Sequence, residues 1–250
     1  MKYLREYIKH SFVGKLLGSL TTSILLWRKG VILTFVHPQN YNLRNGTILL
    51  YKNKERAVIY DFVMQLKKKV DMQLGYNEAY NLYMAVRNTA KIPGDIAEVG
   101  VYYGGSAAII CEAKKNKILH LYDTFRGLPE VSFKDSIQFK KGQYNATLDM
   151  VKKSLGAYKN VLFNKGVFPQ SALNFPSNVK FSFVHLDVDI YSSTKTSLEF
   201  FYPRMSKGGV IISHDYISSD GVGQAFDEFF KNKPEPIIEL SGSQCLIVKV

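Results

Sequence analysis

The 250-residue sequence has few cysteines, no long apolar run and no repeated unit. Its two cysteines, Cys111 and Cys245, lie far apart within apolar runs. This favours buried thiols in a reducing compartment over a disulfide, so we expect a cytoplasmic protein. The longest weakly polar stretch, residues 12–27, is interrupted by Lys15 and two glycines and falls short of the roughly 20 apolar residues that span a bilayer. No zinc-finger or RNA-recognition pattern is present, so nucleic acid is not an expected partner.

Acidic residues are also scarce, since 21 Asp and Glu stand against 33 Lys and Arg, for a formal net charge of +12. Residues 1–90 hold 14 of the basic residues and 5 of the acidic ones, so the positive charge is concentrated in the first third. A field of this sign steers anionic partners such as an acidic glycan or a phospholipid headgroup. A basic surface without any ligand explains the same pattern, and both interpretations stay open.

Helical periodicity marks the beginning of the chain. Apolar residues recur at steps of three or four from Tyr3 to Ile24, with most of the basic residues off that stripe. We predict an amphipathic helix that packs on the main domain as a cap, or that lies on an anionic membrane surface and makes the protein peripherally membrane-associated. An extended segment at 31–36 and a polar stretch to Gly46 predict a loop or lid. We assign residues 1–73 to this N-terminal helical cap and lid segment.

After Pro93 the sequence alternates between short β-branched runs and helix-like segments. This alternation is typical of βαβ units, in which helices cover both faces of a parallel sheet. The predicted strands are 96–99, 118–122, 161–163, 181–186, 210–213, 236–240 and 245–250. The predicted helices are 77–90, 106–115, 146–155, 170–175 and 194–205. Only four residues separate the last two strands, too few for a parallel crossover, so they must pair antiparallel. Residues 74–250 are therefore predicted to form a Rossmann-like, doubly wound α/β sheet of seven strands with the last one reversed.

A glycine-rich turn, EVGVYYGGS at residues 98–106, follows the first of these strands. Gly100 and Gly104, on either side of Tyr102, allow a tight turn and a close approach of the backbone to a ligand. Asp123 ends the second strand, where a carboxylate can accept both hydroxyls of a ribose. S-adenosylmethionine fits this pattern, because it has an adenosine without phosphate and an ammonium group that Glu98 could accept. The alternative is that the glycines serve packing alone.

An NAD(P)-dependent oxidoreductase or epimerase is the main competing hypothesis. The spacing G-x-x-x-G-G differs from the G-x-G-x-x-G of pyrophosphate binders. The reversed last strand and the absence of an evident Tyr-x-x-x-Lys pair also count against it.

Two aspartates, Asp187 and Asp215, end the fourth and fifth predicted strands. Carboxylates at neighbouring strand ends repel each other unless a cation or a proton lies between them. Paired oxygen ligands in an open site suit Mg²⁺, and such an ion lowers the pKa of a bound hydroxyl. The alternative is that one aspartate bonds the cofactor while the other caps a helix.

From about Leu74 to its end, the sequence resembles the macrocin O-methyltransferase family, metal-dependent class I methyltransferases that modify sugars of macrolide antibiotics. The resemblance rests on LGYNEAYNLYMAVRNTAKIPGDIAEVGVYYGGSA, LYDTFRGLPE, GVFPQSA and HLDVDIYSSTKTSLEFFYPRMSKGGVIISHDY, in that order. It implies an S-adenosylmethionine-dependent O-methyltransferase whose acceptor is a hydroxyl of a sugar, glycan or secondary metabolite. The cofactor contacts that it implies are Glu98, Gly100, Gly104, Ser106, Asp123 and Phe125, with Phe168 and Gln170 near the adenine. The metal ligands that it implies are Asp187, His214 and Asp215.

The chain departs from the family at two positions. His214 stands where members carry an aspartate, and imidazole ligates Mn²⁺, Fe²⁺ or Zn²⁺ better than Mg²⁺. If His214 turns away, two carboxylates and more water remain, and Mg²⁺ stays the metal we expect. Ile190 replaces the lysine base of the related catechol methyltransferases, which leaves His214, Asp135 or a residue of the lid as candidates for the base.

A third hypothesis is a methyltransferase-like protein that binds a cofactor or a membrane surface without catalysis. His214 is its best support, and the intact acidic positions argue against it. For the whole protein we expect a homo-oligomer.

Overall fold

The computed structural model describes residues 22–26, 31–35, 42–44, 48–50 and 54–250, with side chains from residue 56 onward. The chain divides into two compact units, residues 1–62 and 63–250. In the first unit, strands β1 (Thr22–Leu26) and β2 (Val31–Phe35) pair antiparallel, as do β3 (Asn42–Arg44) and β4 (Ile48–Leu50). Helix α1 (Lys54–Lys69) runs across the division.

The sequence prediction for this first unit is confirmed only in part. The extended segment predicted at 31–36 is confirmed over residues 31–35, as β2, and residue 36 lies outside the described residues. Within the polar stretch predicted as a loop or lid, Asn42–Arg44 instead forms β3. The helix predicted from Tyr3 is wrong at its end, because Ile24 lies in β1 opposite Leu33. Thr22 and Ile24 are β-branched and favour a strand there. The rest of that predicted helix lies outside the described residues. The domain boundary at 73/74 stays a prediction. Among the described residues, no helix is long and apolar enough to cross a membrane.

The second unit is built on a seven-stranded sheet. Its strands are β5 (Asp95–Val99), β6 (Leu119–Asp123), β7 (Val161–Lys165), β8 (Phe181–Leu186), β9 (Met205–Ser213), β10 (Ile238–Glu239) and β11 (Cys245–Val248). Their order in the sheet is β10-β11-β9-β8-β5-β6-β7. Strands β5 to β9 pair parallel, whereas β11 pairs antiparallel with both β9 and β10. The predicted doubly wound sheet with a reversed last strand is confirmed.

Five further helices follow α1: α2 (Tyr76–Asn88), α3 (Gly105–Ala113), α4 (Leu148–Leu155), α5 (Tyr191–Phe201) and α6 (Asp220–Phe230). Two predicted helices are corrected. The segment 170–175 forms only a 3₁₀ turn at Gln170–Ala172, and the helix predicted to reach residue 205 gives way to a 3₁₀ turn at Tyr202–Arg204, where Pro203 has no N–H to donate. Helices α1 and α6 were not predicted.

The two central strands, β5 and β8, position the site. Nearly every residue of both is buried, with helices covering the sheet. The amide of Gly100 donates to the carbonyl of Tyr122 at 3.0 Å, and the amide of Asp187 donates to the carbonyl of Val99 at 2.9 Å. From β5 the chain continues to β6 on one side of this pair, and from β8 it continues to β9 on the other side. Where the strand order reverses in this way, a crevice opens at the carboxyl ends of the strands, and open α/β sheets bind their ligands there.

Candidate active site

A cavity of about 300 Å³ lies in this crevice. That volume is at the small end of the range typical of small-molecule sites. Eight of the residues predicted from the sequence line it: Gly100, Tyr102, Ser106, Asp123, Phe168, Asp187, His214 and Asp215. The other four, Glu98, Gly104, Phe125 and Gln170, do not line the cavity.

Glu98 is fully buried next to the cavity. Its Oε1 lies 2.8 Å from Nδ1 of His185, and its Oε2 has no hydrogen-bond partner. Burial raises the pKa of Glu98, although the neighbouring side chains of His185 and Ser106 oppose the shift. Because Ser106 lines the cavity, Glu98 lies directly behind the wall. His185 is itself fully buried in the core.

The other three predicted residues that do not line the cavity lie in the turns and helix start around it. Gly104, with φ +85°, is the residue before α3, and a Cβ there would lie 3.3 Å from Val151. Phe125 is buried at the turn after β6, and Gln170 is exposed at the start of its 3₁₀ turn. Neither the ring of Phe125 nor the amide of Gln170 lines the cavity.

The Asp123 carboxylate holds the glycine-rich loop in place. Its Oδ2 accepts the backbone amides of Val101 at 2.7 Å and Tyr102 at 3.2 Å, and its Oδ1 accepts that of Phe125 at 2.6 Å. Burial raises the pKa of Asp123 against these bonds. A carboxylate has about four acceptor positions, so these three amides leave one, which the Thr124 hydroxyl approaches at 3.5 Å.

A segment between α1 and α2 completes this side of the cavity and was missed by sequence reasoning. Asp71, Met72, Gln73 and Leu74 all line the cavity. The Tyr102 hydroxyl donates to Oδ2 of Asp71 at 2.8 Å, which joins the segment to the glycine-rich loop. Burial and this bond raise the pKa of Tyr102 to about 12. The pattern NEAYNLYMAV after this segment predicts a helix, but no local signal indicates that the segment lines a cavity.

Apolar residues form the opposite wall. Phe168 is buried and stacks on Phe201 with ring centroids 5.3 Å apart, and it meets Tyr122 edge-on at 5.2 Å. The loop after β6 contributes Leu128 and Phe139, which sequence reasoning also missed. A flat, apolar wall of this kind suits a nucleobase or a similar ring.

A cluster of ionisable groups also lines the cavity. Nδ1 of His214 lies 2.8 Å from Oδ2 of Asp215 and 3.2 Å from Oδ1 of Asp187. Its Nε2 lies 3.4 Å from Oε2 of Glu78 on α2. Sequence reasoning missed Glu78, although it stands within the segment that carries the family resemblance. The three residues Asp187, His214 and Asp215 can each turn one donor atom to a common centre, with these atoms within 4.8 Å of one another.

The charges in this cluster shift one another strongly. Burial disfavours the His214 imidazolium, but Asp187, Asp215 and Glu78 outweigh burial and raise the pKa of His214 far above its ordinary value. Burial also disfavours the Asp187 carboxylate, yet the charge of His214 lowers its pKa. The pKa of Asp189, which lines the same cavity, is raised by burial and by the neighbouring Asp187 and Asp215.

The donor set fits a divalent cation. Ligands about 2.1 Å from an octahedral ion lie about 3.0 Å apart along each edge. The separations of 2.8 and 3.2 Å around Nδ1 of His214 match that edge. The same distances also fit a protonated His214 whose imidazolium donates hydrogen bonds to the two aspartates. The geometry therefore suits a metal ion or a protonated His214.

The sequence predicted two candidate bases outside the lid, His214 and Asp135. Neither presents a free hydrogen-bond acceptor to the cavity. Both ring nitrogens of His214 face carboxylates. Asp135 lies off the wall, where it accepts the backbone amide of Tyr191 at 2.7 Å and that of Ser132 at 2.7 Å. It therefore anchors the loop after β6 to the start of α5.

Together, the sheet order, the reversed β11 and a cavity over the carboxyl ends of β5, β6 and β8 define a class I methyltransferase fold. The model of the macrocin O-methyltransferase family (TylF) matches residues 69–243. The chain therefore belongs to this family, and the resemblance seen in the sequence is confirmed.

The chain is also similar to curated proteins that are named as O-methyltransferases. The chain is 28% identical over 170 residues to 8-demethyl-8-(2,3-dimethoxy-alpha-L-rhamnosyl)-tetracenomycin-C 4'-O-methyltransferase of Streptomyces olivaceus, a match that covers 61% of this chain and 64% of that relative. It is 23% identical over 211 residues to demethyldecarbamoylnovobiocin O-methyltransferase of Streptomyces niveus, which covers 77% and 78% of the two chains. The first match thus spans less than two thirds of the relative's own length.

Solved structures share the fold. The O-methyltransferase NovP matches with a TM-score of 0.65 at 18% identity, over 78% of this chain and 99% of NovP. The calicheamicin methyltransferase CalS11 matches with a TM-score of 0.60 at 17% identity, over 80% of this chain and 94% of CalS11. At these identities the likeness shows the fold alone.

Proposed function

We propose that this protein is an S-adenosylmethionine-dependent O-methyltransferase whose acceptor is a hydroxyl of a sugar, glycan or secondary metabolite. The observation that carries this proposal is that one cavity is lined both by the glycine-rich loop with Asp123 and by the cluster of Asp187, His214 and Asp215. A donor held by the first group and a hydroxyl held by the second would meet within it. Relatives named as methyltransferases of a rhamnosyl compound and of mycinamicin III support a glycosylated acceptor.

The cofactor would lie along the loop after β5. The donor supplies an electrophilic methyl group on its sulfonium. Asp123 would accept one ribose hydroxyl at its remaining acceptor position, and Gly100 and Ser106 give a wall that a ligand can approach closely. Phe168 and Leu128 would enclose the adenine. A related O-methyltransferase from Bacillus cereus, with a TM-score of 0.52, was solved in complex with SAH (S-adenosylhomocysteine), which supports this class of cofactor.

A divalent metal is part of the proposal. Asp187, Asp215 and His214 would hold it, and the ion would lower the pKa of the acceptor hydroxyl. Holding the two reactants in line contributes on the order of 7–11 kcal/mol to lowering a barrier of this kind, so positioning by these residues is the main work of the protein.

We assign the hydroxyl proton to Asp189. This side chain lines the cavity two residues after Asp187. Both ring nitrogens of His214 face carboxylates and Asp135 lies off the wall, whereas Asp189 lies on the wall, where it also bonds Asp215. A carboxylate there would meet the geometric requirement for a general base when the acceptor hydroxyl is within hydrogen-bond reach.

The decisive experiment is a methyl-transfer assay with purified protein, S-adenosylmethionine and a panel of glycosylated natural products and cell-derived glycans, read out as SAH formed. Calorimetry with SAH and with NAD⁺ in parallel separates the hypotheses. Binding of NAD⁺ without binding of SAH would favour the oxidoreductase, and binding of SAH without turnover on any acceptor would favour the non-catalytic alternative. The homo-oligomer, the cytoplasmic location and contact with a membrane surface stay predictions.

A further inference from the structure

Glu78 is a buried carboxylate that does not line the cavity but lies behind it. It belongs to the first turn of α2 and is 8% exposed. Its one contact toward the cluster is the Nε2 of His214. The two residues are 136 positions apart in the chain, so the folded structure alone brings them together.

Both oxygens of the Glu78 carboxylate accept hydrogen bonds. Oε2 accepts the backbone amide of Gly75 at 2.6 Å, and Oε1 accepts the amide and the hydroxyl of Ser243 at 2.8 and 2.9 Å. A Cβ on Gly242, whose φ is +105°, would lie 2.6 Å from Oε1. The turn between β10 and β11 therefore forms a cradle that fits around this carboxylate and fixes where it points.

With an ion held by Asp187 and Asp215, this arrangement would set the tautomer of a neutral His214. The aspartate oxygens would then face the ion, and an ionised Glu78 only accepts hydrogen bonds, so Nε2 would carry the hydrogen. Nδ1 then presents its lone pair on the side of Asp187 and Asp215. Histidine ligands of metals regularly donate their second N–H to a carboxylate in this way, and loss of that partner typically weakens metal binding 10- to 100-fold.

We propose that Glu78 is a positioning residue that makes His214 a nitrogen ligand through Nδ1, and that the site consequently takes a first-row transition metal such as Mn²⁺ in preference to Mg²⁺. Imidazole ligates first-row transition metals better than it ligates Mg²⁺, which favours oxygen ligands. This inference rests on the proposed function, since it concerns the metal of the same site. The rival arrangement is an imidazolium that itself fills the space between the aspartates.

The test measures metal binding by the full chain without an acceptor. Metal-free protein is titrated with Mn²⁺ by electron paramagnetic resonance, with Mg²⁺ as competitor. Electron spin echo modulation of the bound Mn²⁺ then reports directly coordinated nitrogen. We expect a nitrogen coupling in the wild type, its loss in His214→Asp, and an Mn²⁺ affinity that is 10- to 100-fold weaker in Glu78→Gln. His214→Asp should also lower the preference for Mn²⁺ over Mg²⁺ at least about tenfold.

Glu235→Gln is the matched control, because Glu235 is 2% exposed and binds Lys249 and Tyr202 away from the cavity. It should leave Mn²⁺ affinity unchanged. If Glu78→Gln unfolds, Glu78→Asp, which keeps the charge but shortens the reach, replaces it, with the same expected weakening. Mn²⁺ bound without nitrogen coupling, or bound equally by the wild type and the Glu78 variants, would overturn the inference. So would a wild type that binds SAH and turns over but takes no metal. Failure to bind SAH at all would instead count against the proposed function.

Discussion

A Cβ on Gly100 would lie 1.8 Å from the carbonyl oxygen of Asp187, so only glycine allows these two residues their present positions. The loop after β5 and the loop after β8 thus touch at the crevice. Sequence reasoning assigned Gly100 to a tight turn that approaches a ligand. The structure shows that Gly100 also makes room for the end of β8, which carries Asp187 of the ionisable cluster.

Gly100→Ala should therefore destabilise the protein far more than an alanine at a glycine whose only cost is a left-handed backbone conformation. Gly142 provides the control, because its φ of +81° is close to the +84° of Gly100 while a Cβ there meets nothing within 4 Å. We expect Gly142→Ala to cost about 1–2 kcal/mol of unfolding free energy, the usual strain of a left-handed residue. Gly100→Ala should cost clearly more and should weaken SAH binding. Denaturant unfolding and calorimetry measure both, and equal losses in the two variants would contradict this account.

Asp187→Ala should abolish turnover. It removes a ligand from the donor set, and metal stabilisation of a developing charge is worth several kcal/mol, which corresponds to a loss of about a hundredfold or more. Excess chelator should reduce the activity of the wild type similarly, and added metal should restore it. Asp149→Ala, an exposed position on α4, serves as the control. Full activity of the wild type in excess chelator would remove the metal from the mechanism.

Asp123→Asn should weaken both the fold and the cofactor site. An amide has one acceptor oxygen, so it cannot accept the amides of Val101, Tyr102 and Phe125 as the carboxylate does. We expect a loss of roughly 1–3 kcal/mol of stability and weaker binding of SAH. Thermal unfolding with and without SAH is the measurement. Unchanged SAH affinity would show that Asp123 serves only the loop.

Asp189→Asn should lower kcat while SAH binding stays intact. Loss of a general base typically costs about 10²- to 10⁴-fold. Asp220→Asn, on the exposed first turn of α6, should leave kcat unchanged. Steady-state kinetics over a range of pH is the measurement, and a variant that retains full kcat would show that the proton leaves by another route.

Neither thiol should react in the folded protein. Burial raises the pKa of Cys111 to about 12, and burial also raises the pKa of Cys245. Only the thiolate is nucleophilic, so at pH 8 both residues should resist a disulfide reagent for as long as the fold persists. Two thiols per chain should become reactive in denaturant. Fast labelling of the native protein would show that one of them becomes accessible.

Much of the fold followed from local patterns. The strand–helix alternation after Pro93 predicted the parallel strands, and the short gap before Cys245 required the reversed one. These signals are local, because the alternation and the length of a connection lie within a few residues. Helix α6 was missed because Gly221 and Gly223 weaken its helical propensity, while its apolar residues are buried against the sheet and stabilise it.

The sequence by itself determined which acidic residues end the strands, and therefore that Asp123, Asp187 and Asp215 meet at one edge of the sheet. Only the tertiary structure decided what surrounds them. It placed Asp71 and Met72 on the cavity wall, turned the lone pairs of Asp123 toward the backbone, and set Glu78 behind His214. These contacts depend on how a helix and a turn pack against the sheet. That packing is fixed by burial and hydrogen bonding between distant segments, which no local pattern encodes.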